Sequence, residues 1–266
     1  MSEIFTLGID VGSTASKCII LKDGKEIVGK SLIDVGAGTS GPNRAIEAVL
    51  EDAGLKKEDM AFTLATGYGR TSLMDGIADK QMSELSCHAK GAYFLFPKVH
   101  TVIDIGGQDV KVLRVEDGVM TNFQMNDKCA AGTGRFLEMM ARTLGLSLED
   151  MSKKGLEWKE NIVISSMCTV FAESEVVSLV AQNKNVADII HGLNVSVASK
   201  VGALAARLGK NNPGEYMMTG GVAKNQGIIK ALEEKIGAPL YICDEAQLCG
   251  ALGAALFAFE KCREGR

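Results

Sequence analysis

Aromatic residues are scarce in this sequence, and it contains no long uninterrupted hydrophobic run. One tryptophan, four tyrosines and nine phenylalanines are spread over 266 residues, whereas glycine occurs 30 times. This balance favours many tight backbone turns around a small ligand over an aromatic-rich binding surface. The longest apolar stretch, residues 248–259, is too short and too rich in glycine to span a bilayer. We therefore expect no membrane segment.

An excess of positive charge is also missing. The formal net charge is −4, so the composition gives no indication of binding to nucleic acid or to an anionic membrane. Glycine and aspartate interrupt the first apolar segment, residues 4–10, so we expect no secretion signal there. Seven cysteines, an odd number, argue against a disulfide framework and favour the reducing cytoplasm.

The sequence lacks the G-x-x-x-x-G-K-[ST] loop of P-loop nucleotide sites. It begins instead with a strand, a turn of small and hydroxyl-bearing residues, and a returning strand. Such a turn predicts a nest of backbone N–H groups the size of a phosphate. The residues predicted to bind the phosphates of a nucleotide here are Gly12, Ser13, Thr14, Ala15, Ser16 and Lys17.

The opening motif occurs a second time, with Asp104 standing 94 positions after Asp10. In both copies an Ile-Asp-x-Gly sequence follows an apolar strand and precedes another strand. This repeat predicts two similar lobes that face one ligand, with Gly106 and Gly107 as further phosphate donors. The two aspartates are predicted to hold Mg²⁺ through water. Two unrelated strand-end turns are the alternative interpretation.

A third glycine-rich stretch, residues 125–135, puts Cys129 ahead of a predicted helix. An apolar stripe starting at Leu137 predicts that helix, with Thr133 as N-cap and Gly145 as its end. A helix start carries unpaired N–H groups that suit an anion and lower the pKa of a thiol. The residues of this stretch predicted to bind nucleotide are Gly132, Thr133 and Gly134.

Cys168 precedes another predicted helix in the same way, with Thr169 as the expected N-cap. For both cysteines, buried structural thiols are the alternative interpretation. Cys87 and His88 are neighbours on one predicted helix, where adjacent residues do not face each other, so we interpret Cys87 as a core residue. The remaining cysteines are interpreted as core or incidental: Cys18, Cys243, Cys249 and Cys262.

Near the C-terminus, a strand runs into the glycine pair Gly220–Gly221, which predicts close approach of a base or ribose to the backbone. With the two aspartate turns in this order, the chain resembles the acetate kinase, sugar kinase, heat-shock chaperone and actin superfamily. The resemblance implies an α/β, two-lobed, actin-like ATPase fold, each lobe a mixed sheet with flanking helices. We expect an N-terminal lobe at 1–98, with a C-terminal helix at 247–266 packing back on it, and a C-terminal lobe at 99–246.

The chain resembles one branch of that superfamily more closely, and this resemblance extends over essentially its whole length, with four motifs that carry it. They are similar to the activators of 2-hydroxyacyl-CoA dehydratases, of the BadF/BadG/BcrA/BcrD type, with benzoyl-CoA reductase ATPase subunits as more distant relatives. The resemblance implies a homodimer with one [4Fe-4S] cluster at the subunit interface, held by Cys129 and Cys168 of each chain. The thiol count is compatible, because a cubane needs four thiolates and the chain has no C-x-x-C. The motifs are residues 7–14, 104–109, 126–134 and 168–175.

The activity implied by this resemblance is ATP-driven electron transfer. An activator takes an electron from reduced ferredoxin or flavodoxin and passes it to the dehydratase component, which starts radical removal of water from a 2-hydroxyacyl-CoA. Asp10, Asp104 and Gln108 are the expected catalytic residues. Gln108 is expected to orient the attacking water, because an amide holds water without acting as a base toward an alcohol.

Two other functions of this fold stay open at the level of the sequence. A small-molecule kinase needs a carboxylate that faces a substrate hydroxyl, and Asp109 is the candidate for that base. A chaperone-like or scaffold ATPase would have no redox role. Both alternatives leave Cys129 and Cys168 as inert thiols.

Overall fold

A computed structural model describes residues 3–165, 168–209 and 215–264. The chain divides into two compact units, called unit 1 and unit 2 here. Unit 1 is formed by Met1–Val99, Val115–Thr121 and Cys243–Arg266, and unit 2 by His100–Arg114 and Asn122–Ile242.

The described residues form two five-stranded sheets with flanking helices. The strands are β1 (Phe5–Val11), β2 (Ser16–Lys22), β3 (Glu26–Ile33), β4 (Met60–Thr66), β5 (Lys80–Gln81), β6 (Val99–Ile105), β7 (Val110–Glu116), β8 (Val119–Asn126), β9 (Glu215–Thr219) and β10 (Leu240–Tyr241). The helices are α1 (Gly41–Ala53), α2 (Glu84–Leu95), α3 (Gly134–Thr143), α4 (Leu148–Lys154), α5 (Thr169–Ala181), α6 (Val186–Arg207), α7 (Gln226–Ile236) and α8 (Cys249–Glu264).

The sheet of unit 1 has the order β3-β2-β1-β4-β5. Strand β1 is central, antiparallel to β2 and parallel to β4. Side chains alternate between the two faces of β2, so Cys18 and Ile20 pack in the cluster that includes helix α1. Ile19 and Leu21 pack on the other face, against α8. Helices cover both faces, which is why β2 carries an uninterrupted apolar run.

Helix α8 approaches its neighbours closely because it is built from small residues. A Cβ atom added at Gly8 of β1 would collide with the carbonyl oxygen of Ala251, and one added at Gly253 would collide with that of Cys87. The backbone of α8 therefore lies directly on β1 and α2. This contact holds the C-terminal segment of the chain against the strand that carries Asp10.

The second sheet has the order β10-β9-β6-β7-β8, with β6 and β7 antiparallel. Helix α6 packs against α7, and α3 packs against α5. Within the described ranges, α6 alone is long and apolar enough to cross a membrane by length and composition, but half of its apolar window is buried inside the protein. Its apolar stripe is core packing, formed by Ile189, Ile190, Leu193, Val197 and Val201.

The ends of the two helices that follow Cys129 and Cys168 agree only partly with the sequence. Thr133 is the N-cap of α3, as predicted, although its hydroxyl donates to the carbonyl oxygen of Ala130 rather than capping the helix. The prediction of Thr169 as N-cap of α5 is wrong. Cys168 itself occupies the N-cap position, and Thr169 is the first helical residue. The thiol therefore lies at the helix start rather than one residue before it.

Candidate functional site

The first aspartate turn connects β1 to β2. The N–H of Gly12 donates to the carbonyl oxygen of Ala15 at 2.9 Å and closes the turn. Asp10 and Lys17 are partners across the two strands, and Lys17 Nζ lies 3.1 Å from Asp10 Oδ2. Asp10 is 2% exposed, and its Oδ1 has no hydrogen-bond partner in the described part of the chain. A buried carboxylate oxygen without a donor is costly, so this atom is suited to a metal ion or water.

The second aspartate turn, between β6 and β7, has the same hydrogen bond, from Gly106 N to Asp109 O at 3.0 Å. Asp104 and Lys111 are again cross-strand partners. Lys111 is 3% exposed, and its Nζ lies 3.4 Å from Asp104 Oδ2 and 2.8 Å from Asp109 Oδ2. Thr219 donates its hydroxyl to Asp104 Oδ1 at 3.0 Å. Both oxygens of Asp104 thus already have a donor.

A glycine from a neighbouring strand completes each turn. Gly67 follows β4 and Gly220 follows β9, with φ angles of 86° and 85°. A Cβ atom at Gly67 would collide with Asp10 Oδ1, and one at Gly220 would approach Asp104 Oδ1 to 2.8 Å. A residue with a side chain would block access to the carboxylate in both places and would strain the backbone.

Sequence reasoning missed three residues of these turns: Lys111, Gly67 and Thr219. Lys111 stands 94 positions after Lys17, so the same repeat that relates the aspartates would have found it. Gly67 and Thr219 lie outside the repeated segment. Only the placement of β4 and β9 beside β1 and β6 brings them to the aspartates.

The structure brings the second turn and the start of α3 together. Gly134 N donates to Gly106 O at 2.8 Å, and Arg135 N donates to Gly107 O at 2.9 Å. These N–H groups are therefore satisfied inside the protein. Gln108 lies in the exposed part of the same turn. The turn predicted to bind phosphate is thus tied by two hydrogen bonds to the helix that follows Cys129.

The other predicted nucleotide-binding residues differ in their accessibility. Ser16 is buried and donates its hydroxyl to the carbonyl oxygen of Val35 at 2.8 Å. The neighbouring turn residues are half-buried: Gly12, Ser13, Thr14, Ala15 and Lys17. Gly132 is buried, whereas Gly221 is exposed at the start of a short 3₁₀ helix, Gly221–Lys224.

The seven cysteines, none of them in a disulfide, divide by burial. Cys168 is exposed and Cys129 is half-buried. Burial raises the pKa of Cys18 and Cys87, that of Cys87 to about 12, and it also raises the pKa of Cys243. Thiols with raised pKa values stay protonated at neutral pH and are poor metal ligands. The interpretation of Cys18 and Cys87 as core residues is confirmed.

Hydrogen bonds hold the loop around Cys129, which connects β8 to α3. Asn126 donates its side-chain amide to the carbonyl oxygen of Cys129 at 2.8 Å. Thr133 donates its hydroxyl to Ala130 O at 2.6 Å. The sulfur itself has a cationic neighbour, since Lys200 Nζ of α6 lies 3.5 Å from Cys129 Sγ.

Two glutamates of α5, the helix whose N-cap is Cys168, accept hydrogen bonds from other parts of the chain. The carboxylate of Glu175 accepts hydrogen bonds from the backbone N–H and the hydroxyl of Ser165, at 3.0 to 3.2 Å. Glu173 accepts a hydrogen bond from the hydroxyl of Thr143, at the end of α3, at 3.1 Å. Because α3 and α5 also pack on each other, the two thiols lead into a connected pair of helices.

Cys129 and Cys168 are two accessible thiols that one chain could provide as ligands to a metal or a metal cluster. Within residues 3–165, 168–209 and 215–264, no three His, Cys, Asp or Glu side chains are arranged to hold a metal ion. Cys129 and Cys168 are accessible, are not joined in a disulfide, and lie ahead of packed helices. Two thiols would fit half of a four-thiolate cluster, which requires two further thiolates.

Asp109 is a poor candidate for the base of a kinase. Its side chain is buried, and Lys111 lies 2.8 Å from its Oδ2. A carboxylate that is neutralised by a buried lysine is not placed to accept a proton from a substrate hydroxyl.

Comparison with known proteins identifies related sequences and structures over nearly the whole chain. The model of the BadF/BadG/BcrA/BcrD ATPase family matches residues 7–258. Over 259 residues, 97% of this chain and 98% of the relative, the sequence is 64% identical to the (R)-2-hydroxyglutaryl-CoA dehydratase activating ATPase of Acidaminococcus fermentans. The solved structure of the activator of the 2-hydroxyisocaproyl-CoA dehydratase from Clostridium difficile, with bound ADPNP, is 47% identical and has a TM-score of 0.93. That match covers 98% of this chain and 97% of the other.

A more distant structure shows how widely the fold is shared. A ROK family glucokinase from Streptomyces griseus is 13% identical, with a TM-score of 0.61 over 96% of this chain and 99% of the glucokinase. At that identity the similarity concerns the fold alone. The prediction of an α/β fold with mixed sheets and flanking helices, of the kind found in sugar kinases, is confirmed.

Proposed function

Because the chain belongs to the BadF/BadG/BcrA/BcrD ATPase family, we propose that it is the ATP-hydrolysing activator of a 2-hydroxyacyl-CoA dehydratase. One structural observation carries the proposal beyond a general ATPase. Cys129 and Cys168 are accessible thiols that precede two helices packed on each other. An ATPase or kinase without a redox role has no use for this arrangement.

ATP is the proposed nucleotide, and a relative that binds the analogue ADPNP supports it. The two aspartate turns supply phosphate contacts, and the Gly220–Gly221 turn receives the base or ribose. Asp10 and Asp104 hold Mg²⁺ through water, with Asp10 the more important of the two. Asp10 Oδ1 is the carboxylate oxygen that lacks a donor, whereas Asp104 is already bonded to Lys111 and Thr219.

The proposed redox group is a [4Fe-4S] cluster held by Cys129 and Cys168 of two chains. When bound, such a cluster carries one electron at low potential. The chain's own contribution is to keep both thiols accessible and to place Cys168 at the N-cap of α5, where the helix dipole favours negative charge. Glu175 and Asn126 fix the backbone on which the two cysteines are carried.

The outer face of α5 supports the homodimer that this cluster requires. Soluble helices normally place charged residues outward, but the strongly exposed residues of α5 include Val170, Phe171 and Val177, at 63%, 68% and 54% exposure. Its glutamates, Glu173 and Glu175, are half-buried and bonded within unit 2. An apolar face that begins directly after Cys168 is suited to contact with a second copy of the chain.

The proposed partners follow from this role. Reduced ferredoxin or flavodoxin supplies the electron, and the dehydratase component receives it in the cytoplasm. The two relatives described above activate dehydratases for different acyl-CoA substrates. The activator does not need to contact that substrate, and the 2-hydroxyacyl-CoA is therefore chosen by the partner.

Iron analysis of anaerobically purified variants tests the proposal. Cys129→Ser and Cys168→Ser should each reduce iron from about four atoms per dimer to background, because each removes two of the four thiolates. Cys262→Ser is the matched control, since Cys262 is half-buried on α8, and it should keep the cluster. Full iron content in Cys168→Ser would rule out the assignment.

A further inference from the structure

The side chain of Lys200 reaches from α6 to the loop that carries Cys129. Its Nζ lies 3.5 Å from Cys129 Sγ, within the range of a hydrogen bond to sulfur. The two residues are separated by 71 positions in the sequence. Their contact is therefore made by the packing of α6 against the loop and is not a consequence of local chain geometry.

The loop is shaped to receive the stem of this lysine. Gly132 has a φ of +89°, and a Cβ atom placed on it would lie 3.4 Å from Lys200 Cδ. The methylene groups of Lys200 thus lie along the backbone of the loop, and the ammonium group extends past it to the sulfur. Lysine commonly buries its stem in this way while its charged end contacts a polar group.

Lys200 has no carboxylate partner in the described part of the chain, although most other buried or half-buried lysines of the two units do. Lys17 pairs with Asp10, and Lys111 pairs with Asp104 and Asp109. The sulfur of Cys129 is the acceptor that the structure provides for the Lys200 ammonium group. A half-buried cation is stabilised when its neighbour carries negative charge.

We propose that Lys200 is a positioning residue for the redox group: it donates a charge-assisted hydrogen bond to Cys129 Sγ and thereby favours the one-electron-reduced form of the group that the two thiols hold. Reduction adds one electron and one negative charge and breaks no bond. Hydrogen bonds to cluster sulfurs raise the reduction potential, because they stabilise the more negative form. The inference rests on the proposed function, since it requires a cluster on Cys129.

The measurement is the midpoint potential of the anaerobically purified dimer, titrated with dithionite and followed by absorption. Lys200→Met keeps an unbranched apolar stem and removes the charge. It should shift the reduction equilibrium about tenfold toward the oxidised form, which for one electron is a potential lower by about 59 mV. Lys200→Arg keeps a charged donor and should stay near the wild-type value.

Lys235→Met is the matched control. Lys235 on α7 lays its stem over Gly202 of α6 much as Lys200 does over Gly132, but it makes no hydrogen bond to a cysteine among the contacts described. Its midpoint potential should equal that of the wild type. Iron extraction by bathophenanthroline is the second readout and should be faster in Lys200→Met than in Lys235→Met.

Equal midpoint potentials in Lys200→Met and Lys235→Met would overturn the inference and leave the proposed function intact. Wild-type protein without iron would overturn the proposed function itself. If Lys200→Met assembles no cluster, Lys200→Gln takes its place, because it keeps a neutral donor. A smaller lowering of the potential than that expected for Lys200→Met should then be measured, because the charge is lost while a donor is kept, and its absence counts against the role of Lys200.

Discussion

At the scale of single residues, the two repeated aspartates differ in what surrounds them. Lys111 and Thr219 donate to the two oxygens of Asp104. Asp10 accepts a hydrogen bond from Lys17 on Oδ2 only, and its Oδ1 has no partner within the described residues. The two copies of the motif therefore share the geometry of the turn but differ in the donors around the aspartate. The unsatisfied oxygen of Asp10 is better placed to bind a metal ion or its water.

This difference predicts unequal effects of two matching substitutions. Asp10→Asn removes a charge while keeping the shape, and it should lower Mg²⁺-dependent ATP hydrolysis on the order of 100-fold. Asp104→Asn should lower hydrolysis less, and it should reduce thermal stability because it weakens the pairing of the buried Lys111. Phosphate release and thermal unfolding measure the two effects.

Asp34→Asn is the control for the aspartate pair, because Asp34 is exposed and lies outside both turns. It should leave hydrolysis and stability unchanged. If Asp104→Asn lost as much activity as Asp10→Asn while keeping full stability, the proposed difference between the two turns would be wrong.

At the scale of secondary structure elements, α5 has an unusual distribution of polarity. Its buried residues are Ala172 and Val176, yet apolar side chains also occupy its exposed face. The helix is apolar on both faces because, in our proposal, unit 2 covers one face and a second chain covers the other.

Val177→Glu places a charge in the middle of that exposed face and should convert the dimer to a monomer. The reason is that a carboxylate would have to lose its hydration to enter an apolar contact. Light scattering under anaerobic conditions measures the mass, and iron content should fall with it.

Val163→Glu is the control for this substitution. Val163 is 75% exposed but lies outside α5, so its substitution should leave the dimer in place. A Val177→Glu protein that is still dimeric and holds full iron would show that the second chain binds elsewhere.

At the scale of the whole molecule, nucleotide and cluster must influence each other for hydrolysis to drive electron transfer. Unit 2 offers a direct connection. The turn that includes Gln108 is hydrogen-bonded to the first residues of α3 through Gly106 and Gly107, and Cys129 lies in the loop just before that helix. A movement of the turn would therefore act on the start of α3, next to the loop of Cys129, through two hydrogen bonds.

Gln108→Ala should keep ATP binding and the cluster, and it should slow hydrolysis and electron delivery together. Iron extraction by bathophenanthroline, with no nucleotide, with ADP, and with ADP plus aluminium fluoride, measures whether the nucleotide state reaches the cluster. We expect different rates in the wild type and a smaller difference in Gln108→Ala. Identical rates in all three states of the wild type would exclude the coupling.

The sequence by itself determined the features that depend on short stretches of chain. The apolar strands ahead of the two aspartates, the repeat at 94 positions and the apolar stripe of α3 predicted the two turns and the helix after Cys129. These features can be predicted from the sequence because strand patterns, turn composition and helix periodicity each depend on residues only a few positions apart. The four family motifs, which are also short stretches of chain, indicated the function by resemblance.

The tertiary structure alone decided which of these residues are chemically available. Thr219 reaches Asp104 across 115 positions and Lys200 reaches Cys129 across 71, through strand order and helix packing that no local pattern encodes. The packing of the chain also decides which thiols are accessible. It buries Cys18 and Cys87, which raises their pKa and keeps them protonated, whereas Cys168 is exposed. Long-range contacts set the charge and solvation around each group, and those in turn set its reactivity.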